Sequence, residues 1–339
     1  METDRPTRTY RRDAPSFFFP VLLITVGAIW LLVNNGTIPV ENVYRLAPFW
    51  PVLLIIAGLS LILQRLWWPL SALLWLGTAA AVIGVLLFAP TALPQARTYA
   101  IKQETLSEPL GTANSATVSL NLSINQAFIS ALEGSNDLIR ADVSYVGNMQ
   151  FSTSGSDQKS VRLDHNFNDP MWFFNMGMFT GEQQPWQIGL TPDIPLRLRV
   201  DVGTGSTQMN LEGLQIESLT VEGGTGSMSI DLPAGGPRFP FALDMGTGSA
   251  TIRVPEGTAF DLDSDGGTGS LTIDVPDGAG VQVEVKDGGV GSLNLPDGFS
   301  KVRGDSNDDE GTWENEAYAT ADDSIKITLD IGTGSINIR

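Results

Sequence analysis

Residues 200–232 read VDVGTGSTQMNLEGLQIESLTVEGGTGSMSIDL, and the two Gly-Thr-Gly-Ser tetrapeptides inside them, at Gly203 and Gly224, open the series that decides the fold. The tetrapeptide returns at Gly246, Gly267 and Gly332, with the variant Gly-Val-Gly-Ser at Gly289. The intervals are 21, 22, 21, 22 and 43 residues; the last is about two periods, as though an irregular insertion between Phe299 and Ser324 replaced one copy. A period of this size marks stacked repeats, in which one unit cannot bury its apolar face alone and neighbours bury it together.

Within each copy the alternation is that of strands. After Ser227 come Met228, Ile230 and Leu232; after Ser249 come Ala250, Ile252 and Val254; after Ser270 come Leu271, Ile273 and Val275. A spacing of two sends apolar side chains to one face. Pro233, Pro255 and Pro276 follow at a fixed offset and stop the strands. Each copy thus predicts two short strands joined by a Gly-rich turn, and residues 193–339 a right-handed β-solenoid-like stack. The paired glycines Gly203 and Gly205, Gly224 and Gly226, Gly246 and Gly248, Gly267 and Gly269, Gly289 and Gly291, and Gly332 and Gly334 suit positive φ and tight corners without any ligand. A phosphate-loop reading fails, because a strand and not a helix follows each turn and no lysine accompanies it.

An acidic residue stands two positions before each turn: Asp201, Glu222, Asp244, Asp265, Asp287 and Asp330. Stacked in register at about 4.8 Å, these carboxylates form a ladder of like charge. Solvent exposure, hydrogen bonds from turn amides or divalent cations relieve such a ladder.

Of the chain's 20 basic and 38 acidic residues, residues 1–97 hold seven and four, which leaves a net charge of −21 beyond residue 97. That field disfavours nucleic acid and nucleotides and suits cations. Cysteine is absent and His165 is the only histidine, which removes thiolate chemistry, disulfides, ordinary zinc sites and any histidine triad built elsewhere. No cofactor is implied.

Residues 17–33, 47–63 and 66–90 are uncharged and apolar, and Trp30, Trp50, Trp67 and Trp68 sit near their ends, where an indole ring prefers the headgroup layer. They predict three transmembrane helices in a region 16–92, after a tail 1–15. Arg5, Arg8, Arg11, Arg12 and Arg65 on one side against Arg45 and Arg97 on the other place the N-terminus in the cytoplasm and the β domain outside. A re-entrant hairpin of the second and third runs would place it differently. Residues 93–108 read as a linker.

Residues 109–192 read as a β cap subdomain that closes the first coil, since an open edge recruits other strands. It contains an aromatic loop without helical or strand period, including Trp172, Phe173, Phe174, Phe179 and Trp186. This loop either plugs the end of the array or offers an adaptable interaction surface. The insertion carries Asp305, Asn307, Asp309 and Glu316, which partly imitate an oxygen-rich calcium loop, with Gly311 one place late.

The run from Phe17-Phe-Phe-Pro-Val-Leu-Leu-Ile through Asn34-Asn-Gly to Pro48-Phe-Trp-Pro-Val-Leu-Leu-Ile resembles the paired transmembrane region of LiaI/LiaF-type envelope-stress proteins. The Ala116 region, Pro195-Leu-Arg-Leu-Arg-Val-Asp-Val-Gly-Thr-Gly-Ser and the later repeats are similar to toast-rack β domains. The resemblance implies a multi-pass protein of the bacterial cell membrane, without catalytic residues, that restrains a membrane sensor kinase or meets another envelope protein in the stress response. The third apolar run and the acidic insertion depart from that pattern. An adhesin or scaffold that binds through its β face, and a carbohydrate-active enzyme with paired carboxylates, are the other readings.

Overall fold

Uncharged runs of Leu, Ile, Val and Ala satisfy their backbone most completely as helices, and three such runs form α1 (Phe18–Asn34), α2 (Trp50–Leu66) and α3 (Trp68–Phe88). The computed structural model describes residues 18–39, 42–43, 50–66, 68–88, 99–124, 126–166, 179–180, 184–289, 291–305, 310–321, 323–330 and 332–339. The chain divides into two units, Met1–Ala100 with Asp169–Thr180, and Ile101–Asn168 with Gly181–Arg339.

In the first unit α1 stops where Gly36, at φ +77°, lets its own N–H reach the Val33 carbonyl (3.0 Å) while Thr37 N–H reaches Leu32 (2.9 Å). The hydroxyls of Thr25, Ser60 and Thr78 donate to carbonyls of their own helices, so they require no partner outside. Ile38, Trp75 and Leu86 are buried, whereas Ile24 and Leu73 are 72% and 71% exposed. Among the described residues no helix is long and apolar enough to cross a membrane; α1 and α2, with 17 residues each, rise about 25 Å against a hydrocarbon core of about 30 Å. Tyr99–Ala100 pairs in parallel with Phe179–Thr180.

The second unit is an array of rungs, each made of two strand legs, which from Pro195 onward meet at a glycine corner. The legs of one rung do not pair with each other. Each pairs in parallel with the equivalent leg of the next rung, as Leu219 with Phe241 before the corner and Thr225 with Thr247 after it. In Pro195–Asn210 and Gln215–Asp231 the strand runs straight through Gly-Thr-Gly-Ser, so there the motif is a bend in a continuing strand and not a turn between two separate strands as expected. Inward residues such as Leu219, Val221, Ile230, Phe241, Leu243 and Ile252 form one core. Leu232 and Val254 extend the ladder by donating to Arg253 and Asp274 carbonyls, and the proline that follows each ends it.

Spatial order departs from chain order at both ends. From one end, the rungs are Gln158–Asn166 with Trp186–Leu190, then Ser115–Ile124 with Ala127–Ala131, then Pro195–Asn210. Gln215–Asp231, Phe239–Asp244 with Thr247–Arg253, and Phe260–Asp265 with Thr268–Asp274 follow. Next comes Ser324–Asp330 with Thr333–Ile338, and outermost Gly280–Asp287 with Ser292–Asn294. The 43-residue interval holds the insertion, and the last copy lies inside the one before it in sequence. The insertion is a hairpin, Phe299–Arg303 with Gly311–Asn315, laid antiparallel on Gly280–Asp287. At the other end Asn148–Ser154 covers Gln158–Asn166 and Asp137–Tyr145 covers Trp186–Leu190, both antiparallel. Lys102–Pro109 pairs with Asp137–Tyr145, so residues expected to form the end of a linker are a strand of this cap.

Candidate functional site

The corner glycines divide by role. Gly205, Gly226, Gly248, Gly269 and Gly334 hold φ of 145°, 150°, 142°, 149° and 153°, a region that side chains strain to enter. Gly203, Gly224, Gly246, Gly267 and Gly332, the first glycines of their tetrapeptides, do not share it, contrary to the expectation of positive φ at both positions. Their requirement is proximity: a Cβ on Gly224 would lie 2.1 Å from the Gly203 carbonyl oxygen, on Gly246 2.1 Å from that of Gly224, on Gly267 1.6 Å from that of Met245, and on Gly332 2.3 Å from that of Gly267. Gly289 holds φ +52° and its N–H donates to Asp287 Oδ1 (3.0 Å), while Gly291 lies just before Ser292–Asn294. The cavity between two corners, lined by Val202, Gly223, Met228 and Met245 among others, is about 10 Å³, room for about one water. The corners hold the rungs at strand spacing and leave no cradle for a phosphate.

The carboxylates expected to align do so. Asp201 pairs with Glu222, Glu222 with Asp244, Asp244 with Asp265, Asp265 with Asp330 and Asp330 with Asp287. The row continues through Asn121 to Asp164, which no tetrapeptide marks. At that end arginines enter: Arg162 lies 3.1 Å from Asp164, and Arg199 bridges Asp201 (3.5 Å) and Glu222. Asp244, Asp265, Asp330 and Asp287 are exposed to solvent, whose high dielectric reduces repulsion at this distance to the order of 1 kcal/mol.

A second row escaped sequence reasoning. Four positions after the corner serine stand Asn210, Asp231, Arg253, Asp274 and Arg339, in register and alternating in sign from Asp231 onward. Arg253 lies 2.8 Å from Asp231 and Arg339 2.6 Å from Asp274. The hydrogen bond from each arginine to its carboxylate, with the charge behind it, raises both guanidinium pKa values. The signal was present as charge at a fixed offset within the repeat.

The remaining expected residues scatter. Trp186 is 1% exposed and belongs to the core, not to an interaction surface: it alternates inward with Ile188 and Leu190, and its indole N–H donates to the Ser144 carbonyl (2.8 Å). His165, also buried, donates from Nε2 to the Val146 carbonyl (2.7 Å) and lies edge-on between Tyr145 and Trp186. Trp172, Phe173 and Phe174 lie outside the described residues, and of Phe179 only the backbone pairing with Tyr99 is described. Asp305 and Glu316 are exposed, and Asn307 and Asp309 lie outside the described residues. Among the described residues no three metal-ligating side chains converge.

The cap carries its own polar network. The Tyr145 hydroxyl donates to Glu104 (2.9 Å), and burial first, then Glu104, pushes its pKa up to about 12. Lys159 meets Glu108 at 2.5 Å and, against the opposing effect of burial, holds that carboxyl below its usual range. Beside the return loops a groove of about 590 Å³ lies between the Arg197–Glu217 ion pair and Pro233, Pro237 and Phe239.

No curated protein matches the chain. Among solved structures, a proposed cell adhesion protein from Clostridium sporogenes ATCC 15579 is similar at 19% identity over 70% of this chain and 98% of that one, with a TM-score of 0.43. A proposed adhesin from Bacteroides fragilis NCTC 9343 shares 12% identity over 70% and 97% of the two chains, with a TM-score of 0.25. Residues 17–62 match the LiaI-LiaF-like transmembrane region, and residues 95–253 match the N-terminal domain of toast_rack, DUF2154. The chain therefore carries, in one polypeptide, a region similar to the LiaI-LiaF-like transmembrane region and a region similar to the N-terminal domain of toast_rack.

Proposed function

We propose that this protein is a non-enzymatic scaffold of the bacterial envelope, in which the N-terminal helices anchor a right-handed β-solenoid and act on a membrane partner in the envelope-stress response. One observation carries the reading: a LiaI-LiaF-like transmembrane region precedes an array whose repeated glycines set the rung spacing and whose Arg253–Asp231 and Arg339–Asp274 pairs link neighbouring rungs. Exposed Ile24, Ile55 and Leu73 on the helices support a lipid-facing surface, since soluble units rarely present so many large apolar side chains. In this reading the N-terminus is cytoplasmic and the array lies outside the membrane, where its exposed carboxylates suit cationic groups of the envelope.

Protease treatment of spheroplasts tests the sidedness. Digestion of the array before lysis is expected; protection until lysis would sink the exported topology. Exchanging residues 17–90 for an unrelated three-helix anchor tests the division of labour. Loss of the stress response with the array still folded is expected. A full response would assign the work to the array and make the protein an adhesin or scaffold that binds through its β face.

A further inference from the structure

The Ser324–Asp330 and Thr333–Ile338 rung lies in a slot between two rungs that both precede it in the chain. Phe260–Asp265 and Gly280–Asp287 are consecutive strands of the same leg, yet each pairs with Ser324–Asp330 between them. They therefore stand two strand spacings apart, about 9.6 Å. The other leg repeats this, with Thr333–Ile338 between Thr268–Asp274 and Ser292–Asn294. Before the last rung enters, the slot has two unpaired edges and an apolar floor of Phe260, Leu262, Leu271, Val281 and Val283, all buried once it is filled.

The slot specifies its occupant closely. Ile325, Ile327, Leu329, Ile336 and Ile338 fill the floor, and a register slip of one would drive Lys326 and Thr328 into it. Lys326 meets Glu284 (3.6 Å), Arg339 meets Asp274 (2.6 Å), and Arg238 donates to the Ser324 carbonyl (2.7 Å). What the slot does not specify is which copy supplies the rung. The tether is residues 295–323, long enough to reach elsewhere, and its hairpin sits on the far side of the outermost rung.

We propose that this slot is a strand-acceptor site for a second copy of the chain, whose 324–339 segment enters by exchange and links the two copies. Own and partner rungs make identical contacts, so exchange requires only opening and proximity. Confinement of many copies to one surface raises that proximity.

The absence of cysteine makes the test clean. Thr272 and Asn337 are register partners, at a separation a disulfide spans. In the full chain, Thr272→Cys with Asn337→Cys is expected to close within one chain, which confirms the inserted rung. Two differently tagged chains, one Thr272→Cys and the other Asn337→Cys, are then co-expressed and oxidised. A disulfide-linked heterodimer at several times the yield of a control pair, Thr272→Cys with Asn294→Cys, is expected, because those positions stay two rungs apart even after exchange. A heterodimer yield equal to the control would overturn the exchange. Failure of the double variant to form the disulfide either within a chain or between chains would overturn the slot itself.

Discussion

Between residues 195 and 274 each rung lies on the rung before it in sequence, whereas the ends depart from chain order: at one end the chain lays down the inner rung 115–131, then the outer rung 158–190, and returns to build on the inner one, and at the other it lays down the outer rung 280–294 and fills the inner one afterwards. The middle repeats; the ends close. A climbing parallel array finishes on a row of unpaired N–H and C=O groups that invites other strands. The chain answers with antiparallel strands, Gly311–Asn315 at one end and Asn148–Ser154 at the other. Middle rungs are thus held by local repetition, and end rungs by pairings between segments distant in sequence.

The most damaging way to break the middle is at its corners. Gly248→Val places a Cβ 1.8 Å from the Gly226 carbonyl oxygen at φ +142°, and a loss of more than about 4 kcal/mol in urea unfolding is expected. Gly224→Ala should approach that loss through contact alone, its Cβ meeting the Gly203 oxygen at 2.1 Å. Gly278→Ala, at φ +82° in a return loop with nothing within 4 Å, should lose only about 1 kcal/mol. Equal effects at Gly224 and Gly278 would remove close approach as the reason for the motif.

Core truncation sharpens the comparison. Ile252→Ala in the middle and Ile327→Ala in the inserted rung each remove a fully buried side chain, and each should lose about 3 kcal/mol. They should differ in where the structure loosens. Ile327→Ala is expected to speed amide exchange in Gly280–Asp287, which depends on it for an inner neighbour, and to leave Gln215–Asp231 protected. Uniform loosening from Ile327→Ala would show that the ends are no more separable than the middle.

What could be read from the residues follows the same division. Met228, Ile230 and Leu232 and their successors are legible because a strand's two-residue alternation is local, and the acidic row is legible because its offset repeats. Asp164 and Asn121 extend that row without a tetrapeptide to mark them, so only pairing reveals them. The place of residues 324–338 was not legible: an equal apolar pattern fits on either side of the 280–294 rung, and a hairpin elsewhere decides between them. Glycine identity likewise announces a corner but not which of two glycines bends. Trp186 was misassigned through its aromatic neighbours, although its alternation with Ile188 and Leu190 carried the correct reading.

The cap offers a pH test. Tyr145 ionises near 10 when unfolded and near 12 when folded, so the native state holds its proton more tightly. That stabilisation is complete below pH 10 and is lost as pH rises toward 12. Tyr145→Phe should therefore flatten the fall in stability between pH 10 and 12, and remove a phenol that titrates near 12 from an absorbance titration of the folded chain. An unchanged alkaline limb would place the cap's alkaline weakness elsewhere.

The smallest effects lie in the alternating row, where the middle meets the end. Asp274 stands between Arg253, on the rung before it, and Arg339, on the inserted rung. Arg253 is 56% exposed and its partner Asp231 34%, so a double-mutant cycle on that pair should give about 0.5 kcal/mol; the same cycle is run on the Arg339–Asp274 pair. Both couplings should be favourable and fade in high salt. Arg253→Asp, which sets three carboxylates on adjacent rungs, should lose about 1 kcal/mol, whereas Asp265→Asn in the exposed acidic row should gain slightly by removing repulsion. A coupling at Arg339 well above that at Arg253, and resistant to salt, would mean that the inserted rung relies on charge to hold its place. Equal, salt-sensitive couplings would leave backbone pairing and the buried Ile325, Ile327 and Leu329 as what keeps it there.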